Sequence, residues 1–529
     1  MRRYLFAPSL VLAVALAAGP REPLAGQELP WLAGGQLRLD FTPSFWGWTS
    51  RFGYRTDPSG GVVEEVESLG MDLTADPLGS EILPYLQPLE SELRSALQDG
   101  GYQLRLGVSQ AVVQQSRLVF PFRLDVGITD WLTVGAMVPF VRPRTELTFA
   151  LDADSLSADV GLTPGTGSFL STFDAVLTSA EATNPGDPTV LASRAYLDAL
   201  AAAYAYGSVF PAMGSTTGAQ LQARLDDLRT ALEAEGVTGV PETIPLAEAY
   251  MDQEAFNSLL TSPAMRAYPL EDWTTPRTMG DVEITAAVRL LRHGFQPDSL
   301  GELPFLRAQV GIQGLVRLGT GGLKDPDRFL ITDPADGQMD FEGSVFGLVE
   351  VGSRFGGWWQ ARYGIQQEGE AIRRIAGPSE ILPPVSRMAP LNRTPGNYFD
   401  FQINPRFYFT PEMTFGLRYR FWAKGEDRYA LAPMDPETQA LRDYPPALLL
   451  NYETRERLQE LGISATYSTL AAHARGEARF PLQVRFTYLR PLSGAGGQTP
   501  KGGRFEAGLS IFKWVWGGGN GRVEDTGTG

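Results

Sequence analysis

From Leu118 to Phe140, apolar side chains alternate with small or polar ones at every second residue. Leu118, Phe120, Phe122, Leu124, Val126 and Ile128 fall on one face, and Val119, Pro121, Arg123, Asp125 and Gly127 on the other. Thr129-Asp130-Trp131 interrupts the pattern, which then resumes with Leu132, Val134, Ala136, Val138 and Phe140 in phase. A period of two is the signature of a strand with unlike faces. Each limb runs for about ten residues, beyond the ~5–6 of an ordinary strand and matching the ~9–11 that a tilted strand needs to cross a bilayer. The stretch therefore predicts a hairpin of two membrane-length strands.

The same alternation recurs over 36–54 (with a bulge near Pro43), 280–291, 305–318, 341–355, 358–367, 398–409, 413–424, 458–470, 480–489 and 505–516. With the two hairpin limbs the total is twelve, an even number as single-chain bacterial barrels require. Residues 102–112 share the phase of 118–128, but the polar Gln110, Gln114 and Ser116 predict a kink or an extra turn near 110–117. Fourteen strands is the alternative. Tight connections (129–131, Gly356-Gly357, 410–412) and moderately short ones at His293 and His473 alternate with long ones at 56–101, 145–278, 319–340, 368–397, 425–457 and 490–504. Short turns on one side and long loops on the other fit an all-β, antiparallel, up-and-down transmembrane barrel.

The longest connection, 145–278, exceeds what a structureless loop sustains. Helices are expected over 188–206, over 217–235 with Leu221, Leu225, Leu228 and Leu232 on one side, and over 246–260 behind Pro245. The insert reads as an external helical cap, with a plug or ligand-gating lid as the other reading.

Composition sharpens this picture. Met1-Arg2-Arg3 and the apolar run after it make a signal peptide, with cleavage after Ala17 or near Gly26. The chain then divides into a signal peptide (1–26), first strands (27–144), the insert (145–278), remaining strands (279–516) and a flexible tail (517–529). An exported chain without cysteine must close its fold by other means than disulfides, and a closed sheet supplies one. The net charge of −16 argues against nucleic acid as a partner.

With the apolar face turned to lipid, Phe401 points outward and its neighbour Gln402 inward. The same rule turns Arg123, Arg289, Arg307, Arg317, Arg354, Arg362, Arg406, Arg418, Arg420, Lys424, Arg485 and Arg504 into the lumen. Fewer acids follow them: Asp125, Asp281, Glu283, Glu350, Asp400 and Glu506. The lumen is thus expected to be net basic and, if open, to favour anions. The bland reading is that these charges pair across strands and fill a narrow barrel.

No GxSxG, HExxH or P-loop pattern occurs, and both histidines fall in expected turns, so an enzyme is not expected. No resident cofactor is called for. Asp325, Asp327, Asp333, Asp336 and Asp340 offer oxygen ligands for a weakly held Ca²⁺ or a bridge to lipopolysaccharide, but their spacing is not that of an EF-hand and a merely solvated loop is the preferred reading.

The turn Gly127-Ile128-Thr129-Asp130-Trp131-Leu132, the strand end Val138-Pro139 and the strand start Gly280-Asp281 resemble an outer-membrane family named for the meta-pathway of phenol degradation. That resemblance implies a barrel related to fatty acid and aromatic-hydrocarbon channels, and uptake of small hydrophobic compounds. The function expected is therefore an outer-membrane channel of a Gram-negative bacterium for small hydrophobic or anionic solutes, in contact with outer-membrane lipid, lipopolysaccharide and the barrel-assembly machinery. The alternative is a structural or surface-display barrel that presents its helical cap without transport.

Overall fold

Alternation and length together predict strands long enough to span a bilayer, and that is what the chain forms. The computed structural model describes residues 29–516 except 57–61, 155, 296–303, 323–324, 331–336, 436–441, 443 and 498. The expected signal peptide (1–26) and tail (517–529) lie outside the described residues.

Twelve antiparallel strands close into a barrel. Strand β1 is Gln36–Phe41 continued, past Thr42-Pro43, by Ser44–Thr56. It is followed by β2 (Arg105–Gly127), β3 (Leu132–Asp152), β4 (Val282–His293), β5 (Leu306–Leu318) and β6 (Asp340–Val351). Then come β7 (Phe355–Gln366), β8 (Tyr398–Tyr408), β9 (Met413–Lys424), β10 (Glu456–Ser468), β11 (Leu482–Ala495) and β12 (Thr499–Trp514). Leu37 pairs with Val126 of β2 on one side and Lys513 of β12 on the other, which closes the ring. The register of β1 runs unchanged across Pro43; its bulge lies on the β12 side, between Trp48 and Arg51.

The pleat puts apolar residues outside and polar ones inside. On β8, Phe399 and Ile403 are exposed while Asp400 and Gln402 are buried in the lumen. Exposed Trp131, Phe305, Phe355, Phe409, Phe480 and Trp516 ring the end of the barrel that carries the tight turns. Such a girdle marks one edge of a lipid-facing band. We call this the turn end, and the other the loop end.

Several boundaries differ from expectation. The tight turn between β6 and β7 is residues 352–354, where Gly352 takes φ +59°. Gly356 and Gly357 lie inside β7, paired with Glu350 and Val349. Residues 490–504, expected as a loop, extend β11 and β12 into a hairpin that turns after Gly496. Strands β2 and β3 pair without a shift from Val108–Asp152 to Gly127–Thr133, so neither the kink nor the extra turn near 110–117 forms. Gln110 and Gln114 are polar because they are exposed on the outside of a blade that stands above the lipid band.

The blade carries the insert. Helices α1 (Gln87–Leu97), α2 (Phe169–Thr183), α3 (Pro188–Ala205), α4 (Thr216–Ala234) and α5 (Gln253–Thr261) share one core. Leu93, Phe173, Leu200, Leu225 and Phe256 meet there against Val113 and Leu147 of the blade, and Phe149 stacks on Phe256 at 5.1 Å. Two of the three expected helices of the insert form where the spacing put them. The third begins only at Gln253, because Asp252 caps it by accepting from Ala255 N at 2.8 Å. Residues 246–252 are drawn into extended pairing instead, Ala247 N donating to Pro211 O and Met251 N to Val160 O. Helix α2 was not expected; its buried Phe169, Phe173, Leu177 and Ala180 recur at three- and four-residue intervals within a small-residue stretch.

Beside the cap lies a three-stranded sheet of Gly369–Arg374, Met388–Thr394 and Arg428–Leu431. Arg374 ties it to the insert. Its guanidinium donates to Pro326 O, Met265 O, Pro383 O, Arg266 O and Asp327 within 2.6–3.1 Å.

Candidate functional site

The strand-by-strand facing rule says which charges point inward; register decides whom they meet. In the middle of the barrel they meet each other. Arg317 of β5 bonds Glu283 of β4 and Asp340 of β6, both at 2.9 Å. Glu342 of β6 accepts from Tyr398 at 2.8 Å and lies 3.7 Å from Arg362 of β7. Asp400 of β8 accepts from Arg362 at 2.7 Å and from Arg420 of β9 at 2.9 Å. Arg420 also reaches Glu460 of β10, and Arg504 of β12 lies against both Glu460 and Glu506. Arg418 closes this belt across the barrel, bonding Glu506 at 2.8 Å and Gln402 at 2.7 Å.

A second cluster braces the opposite sector. Asp125 of β2 lies 2.7 Å from Arg38 of β1 and 2.9 Å from Arg123, and Arg123 donates to Thr285 of β4. Toward the turn end Arg307 pairs with Glu350, which also accepts from Tyr408. Arg406 donates to Asn404 at 2.5 Å, and Arg485 to Thr42 at 3.3 Å.

Of the arginines assigned to the lumen from sequence, Arg354 does not face it. Arg354 belongs to the 352–354 turn and is exposed, since β7 starts only at Phe355. Arg289 is inward in phase but sits at the turn end, its backbone N–H donating to Trp131 O. Asp40, Glu342 and Glu460 are further inward acids, and Asp340, expected in the acidic loop, instead opens β6 and faces inward to Arg317. With them the lumen is close to charge-compensated.

The turn end of the lumen is occupied. Residues Leu29–Leu32, just ahead of β1, fold back into it. Trp31 is 1% exposed and lies 4.8 Å from the ring of Phe346, among Leu29, Phe295, Leu348 and Trp358. Leu32 packs on Leu470 and Phe512, and its N–H donates to Thr133 Oγ1 at 2.7 Å. Arg38 holds the Leu29 carbonyl at 2.9 Å. The β2–β3 turn receives this segment: Gly34 N donates to Asp130 at 3.0 Å and Gly35 N to Gly127 O at 2.7 Å. A Cβ on Gly127 would stand 2.0 Å from Ala33 O, so only glycine admits the chain there. Thr129 Oγ1 meanwhile caps the turn, accepting from Leu132 N at 3.0 Å.

At the loop end the lumen opens into a hollow of about 460 Å³ lined by Arg51, Phe329, Leu330, Arg393, Lys424 and Tyr429, among others. Lys424 and Arg393 both hold Asp427, at 2.6 and 2.8 Å. Burial alone would raise the Asp427 carboxyl, but these two cations outweigh it and keep it below the usual carboxylate range. In the same hollow, burial pushes the Glu453 carboxyl above that range.

The ladder between β8 and β9 is interrupted. Pro405 has no N–H to give the β8–β9 ladder, and the pairs expected at Asn404–Arg418 and Pro405–Leu417 drop out between Ile403–Tyr419 and Arg406–Gly416. The Asn404 amide replaces the missing donor, bonding Leu417 O at 2.9 Å. Outside this gap lies an apolar hollow of about 700 Å³ lined by Phe355, Phe407, Phe415, Leu417, Ile463 and Phe486. Arg406, Gly416, Ser464 and Thr487, which alternate with these apolar residues along the strands, also border the hollow.

Asp325 and Asp327, which the sequence offers as Ca²⁺ ligands or as a solvated loop, are engaged with arginines. Asp327 pairs with Arg374 at 2.8 Å and Arg266 at 3.3 Å, and Asp325 lies 3.9 Å from Arg328. Asp333 and Asp336 lie outside the described residues. Among the described residues no group of three or more His, Cys, Asp or Glu side chains is placed to hold a metal.

No family model matches this chain, and no curated protein matches it. Among solved structures it is similar to an outer-membrane channel from Pseudomonas putida F1, at 9% identity and TM-score 0.41, covering 93% of this chain and 100% of that one. It is also similar to the toluene transporter TbuX of Ralstonia pickettii, at 11% identity and TM-score 0.25, covering 95% and 96%. A third is the P. putida toluene transporter TodX, at 11% identity and TM-score 0.25, covering 91% and 90%.

Proposed function

We propose that the chain is an outer-membrane channel that takes small hydrophobic solutes from the external mouth and releases them sideways through the β8–β9 seam. One observation carries the reading. The middle of the lumen is lined by paired charges and its turn end is filled around Trp31, while the β8–β9 ladder is interrupted at Pro405 beside an apolar hollow. The long loops and helical cap then face outward and the tight turns face the periplasm, as in other barrels of this kind. A compensated lumen concentrates anions weakly, so hydrophobic solutes fit the geometry better than anionic ones. The resemblance carried by Gly127–Leu132 points to the same solute class.

The test is reconstitution of wild type and Pro405→Ala in liposomes, with two readouts. Uptake of a fluorescent aromatic hydrocarbon should exceed that of protein-free liposomes and fall in Pro405→Ala, where the restored N–H can close the ladder. Swelling in a small sugar should stay near the protein-free rate. Rapid swelling would make the protein an open porin, and flux of neither kind would leave display of the cap as its function.

A further inference from the structure

We infer that the outer surface of β2 and β3 carries a docking site for a phosphorylated lipid of the outer leaflet, held by Arg142 and Arg277. The inference rests on the outer-membrane placement of the barrel and not on what the barrel carries. The short strand Thr278–Met279 pairs with β3 as Thr278–Val141 and Met279–Phe140, which brings Arg277, the residue just before that strand, beside Arg142, the residue just after Val141. Arg142 shares the outward phase of Phe140, Val138 and Val134, and both arginines are exposed. Like charges directly opposite on neighbouring strands repel. Among the described residues no acid pairs with either of them. Nearby Arg144 shows the contrast, held by Glu146 at 2.9 Å.

Two further features turn this juxtaposition into a site. Arg277 is fixed: its Cζ lies 4.2 Å above the Phe120 ring, at the edge of a lipid-facing aromatic cluster of Phe41, Phe120, Phe122 and Phe140. Its height is also right. About ten residues of tilted strand separate Arg142 from the girdle residue Trp131, which is the height of the hydrocarbon band. The two guanidiniums therefore stand at the level of the outer-leaflet headgroups, with exposed Phe122, Val134, Met279 and Ile284 below them to take acyl chains. Planar guanidiniums bind phosphate oxygens in bidentate fashion, and a phosphate between them would relieve their repulsion. The acidic 325–340 loop was the other candidate for lipopolysaccharide, through a bridging cation. Its described Asp325 and Asp327 are already committed to arginines.

The test uses the full chain refolded in detergent, titrated with purified bisphosphorylated lipid A and with the same lipid dephosphorylated, with binding read by native mass spectrometry. Wild type should retain the bisphosphorylated form in preference to the other. Arg142→Gln combined with Arg277→Gln should weaken that binding by about tenfold or more, each surface arginine contributing to headgroup attraction. Arg144→Gln should bind as wild type does. Unchanged heat-modifiability on gels will show that each variant is folded. Equal retention of both lipids by wild type, or undiminished binding by the double variant, would overturn the site. Hydrocarbon flux through the double variant reports separately on transport.

Discussion

Trp31 is the place where blockage of the lumen can be tested most directly. Its ring is 1% exposed and packed on Phe346, Leu348 and Trp358, so Trp31→Ala removes a large buried side chain from a closed site. In a core that change costs about 3–5 kcal/mol. The β-ladders do not run through Trp31, so the loss falls on seating of the segment and not on closure of the barrel. At about 1.4 kcal/mol per tenfold, the ratio of seated to released segment should fall by roughly two to three and a half powers of ten. Leu32 stays packed on Leu470 and Phe512, and the hydrogen bonds of Leu32 N to Thr133 and of Arg38 to the Leu29 carbonyl contribute about 1 kcal/mol each. In planar bilayers wild type should show rare, small openings, and Trp31→Ala frequent ones. Deletion of residues 29–32 should resemble the variant or exceed it. If both conduct like wild type while remaining heat-modifiable, the segment is not the barrier and the belt alone must be.

Other substitutions probe the wall, the belt and the cap. Asp400→Asn strips the shared acid from Arg362 and Arg420, leaving them only Glu342 at 3.7 Å and Glu460 at 3.0 Å, and should destabilise the barrel by up to about 3–5 kcal/mol in urea titrations from lipid vesicles, because two buried cations lose their common partner; a loss under 1 kcal/mol would mean that the remaining acids or water already compensate the belt. Phe401→Arg should cost about 2–4 kcal/mol as a charge in the lipid-facing band, read as loss of heat-resistant folded barrel. Gln402→Arg is not the harmless control that alternation alone suggests, since Gln402 bonds Asp400 and Arg418, and a third guanidinium there should also reduce folded yield. Arg374→Lys keeps the charge but cannot serve five acceptors, so hydrogen exchange should rise at 262–267 and 383–387 while the strands stay protected; unchanged exchange there would remove Arg374 as the tie between insert and sheet.

The barrel itself was legible because lipid imposes one rule on every strand: apolar outside, period two. Phe399 through Phe409 and Met413 through Phe421 obey it without exception in phase. The ion pairs were not legible, because alternation assigns a side and says nothing about which residue lies opposite. Glu460 and Glu342 look like isolated acids until register brings them to Arg420 and Arg362. The 352–354 turn was misplaced for a related reason. Gly356-Gly357 has turn composition, yet the glycines are needed where β7 runs close to β8, a Cβ on Gly357 meeting Asn404 O at 2.9 Å. Leu29–Leu32 left a local trace that went unread: a short apolar run with Pro30 and Trp31, then Gly34-Gly35, immediately before the first strand. The Gly127–Asp130 turn carries no sign in the sequence of what it holds; its role lies in receiving that run through Gly127 and Asp130.

The belt of ion pairs also has a mechanical consequence. A ring of twelve strands can flatten toward an ellipse, and chords across its interior resist that. Arg418–Glu506 is such a chord, joining β9 to β12, and Arg317, Arg362 and Arg420 act as rivets between successive strands from β4 to β10. The belt crosses β8 and β9 at Asp400–Arg420, just loop-ward of the gap at Pro405. It works there as a stop on a zipper, letting the staves part over two residue pairs without the split running upward. The sector from β1 to β3 has its own cluster and is linked to β4 more sparsely, by the hydrogen bond of Arg123 to Thr285 and the nearby charge of Glu283. Any ovalisation of the cross-section should therefore pivot between β3 and β4, leaving the stiff side, and the slit within it, close to its resting curvature.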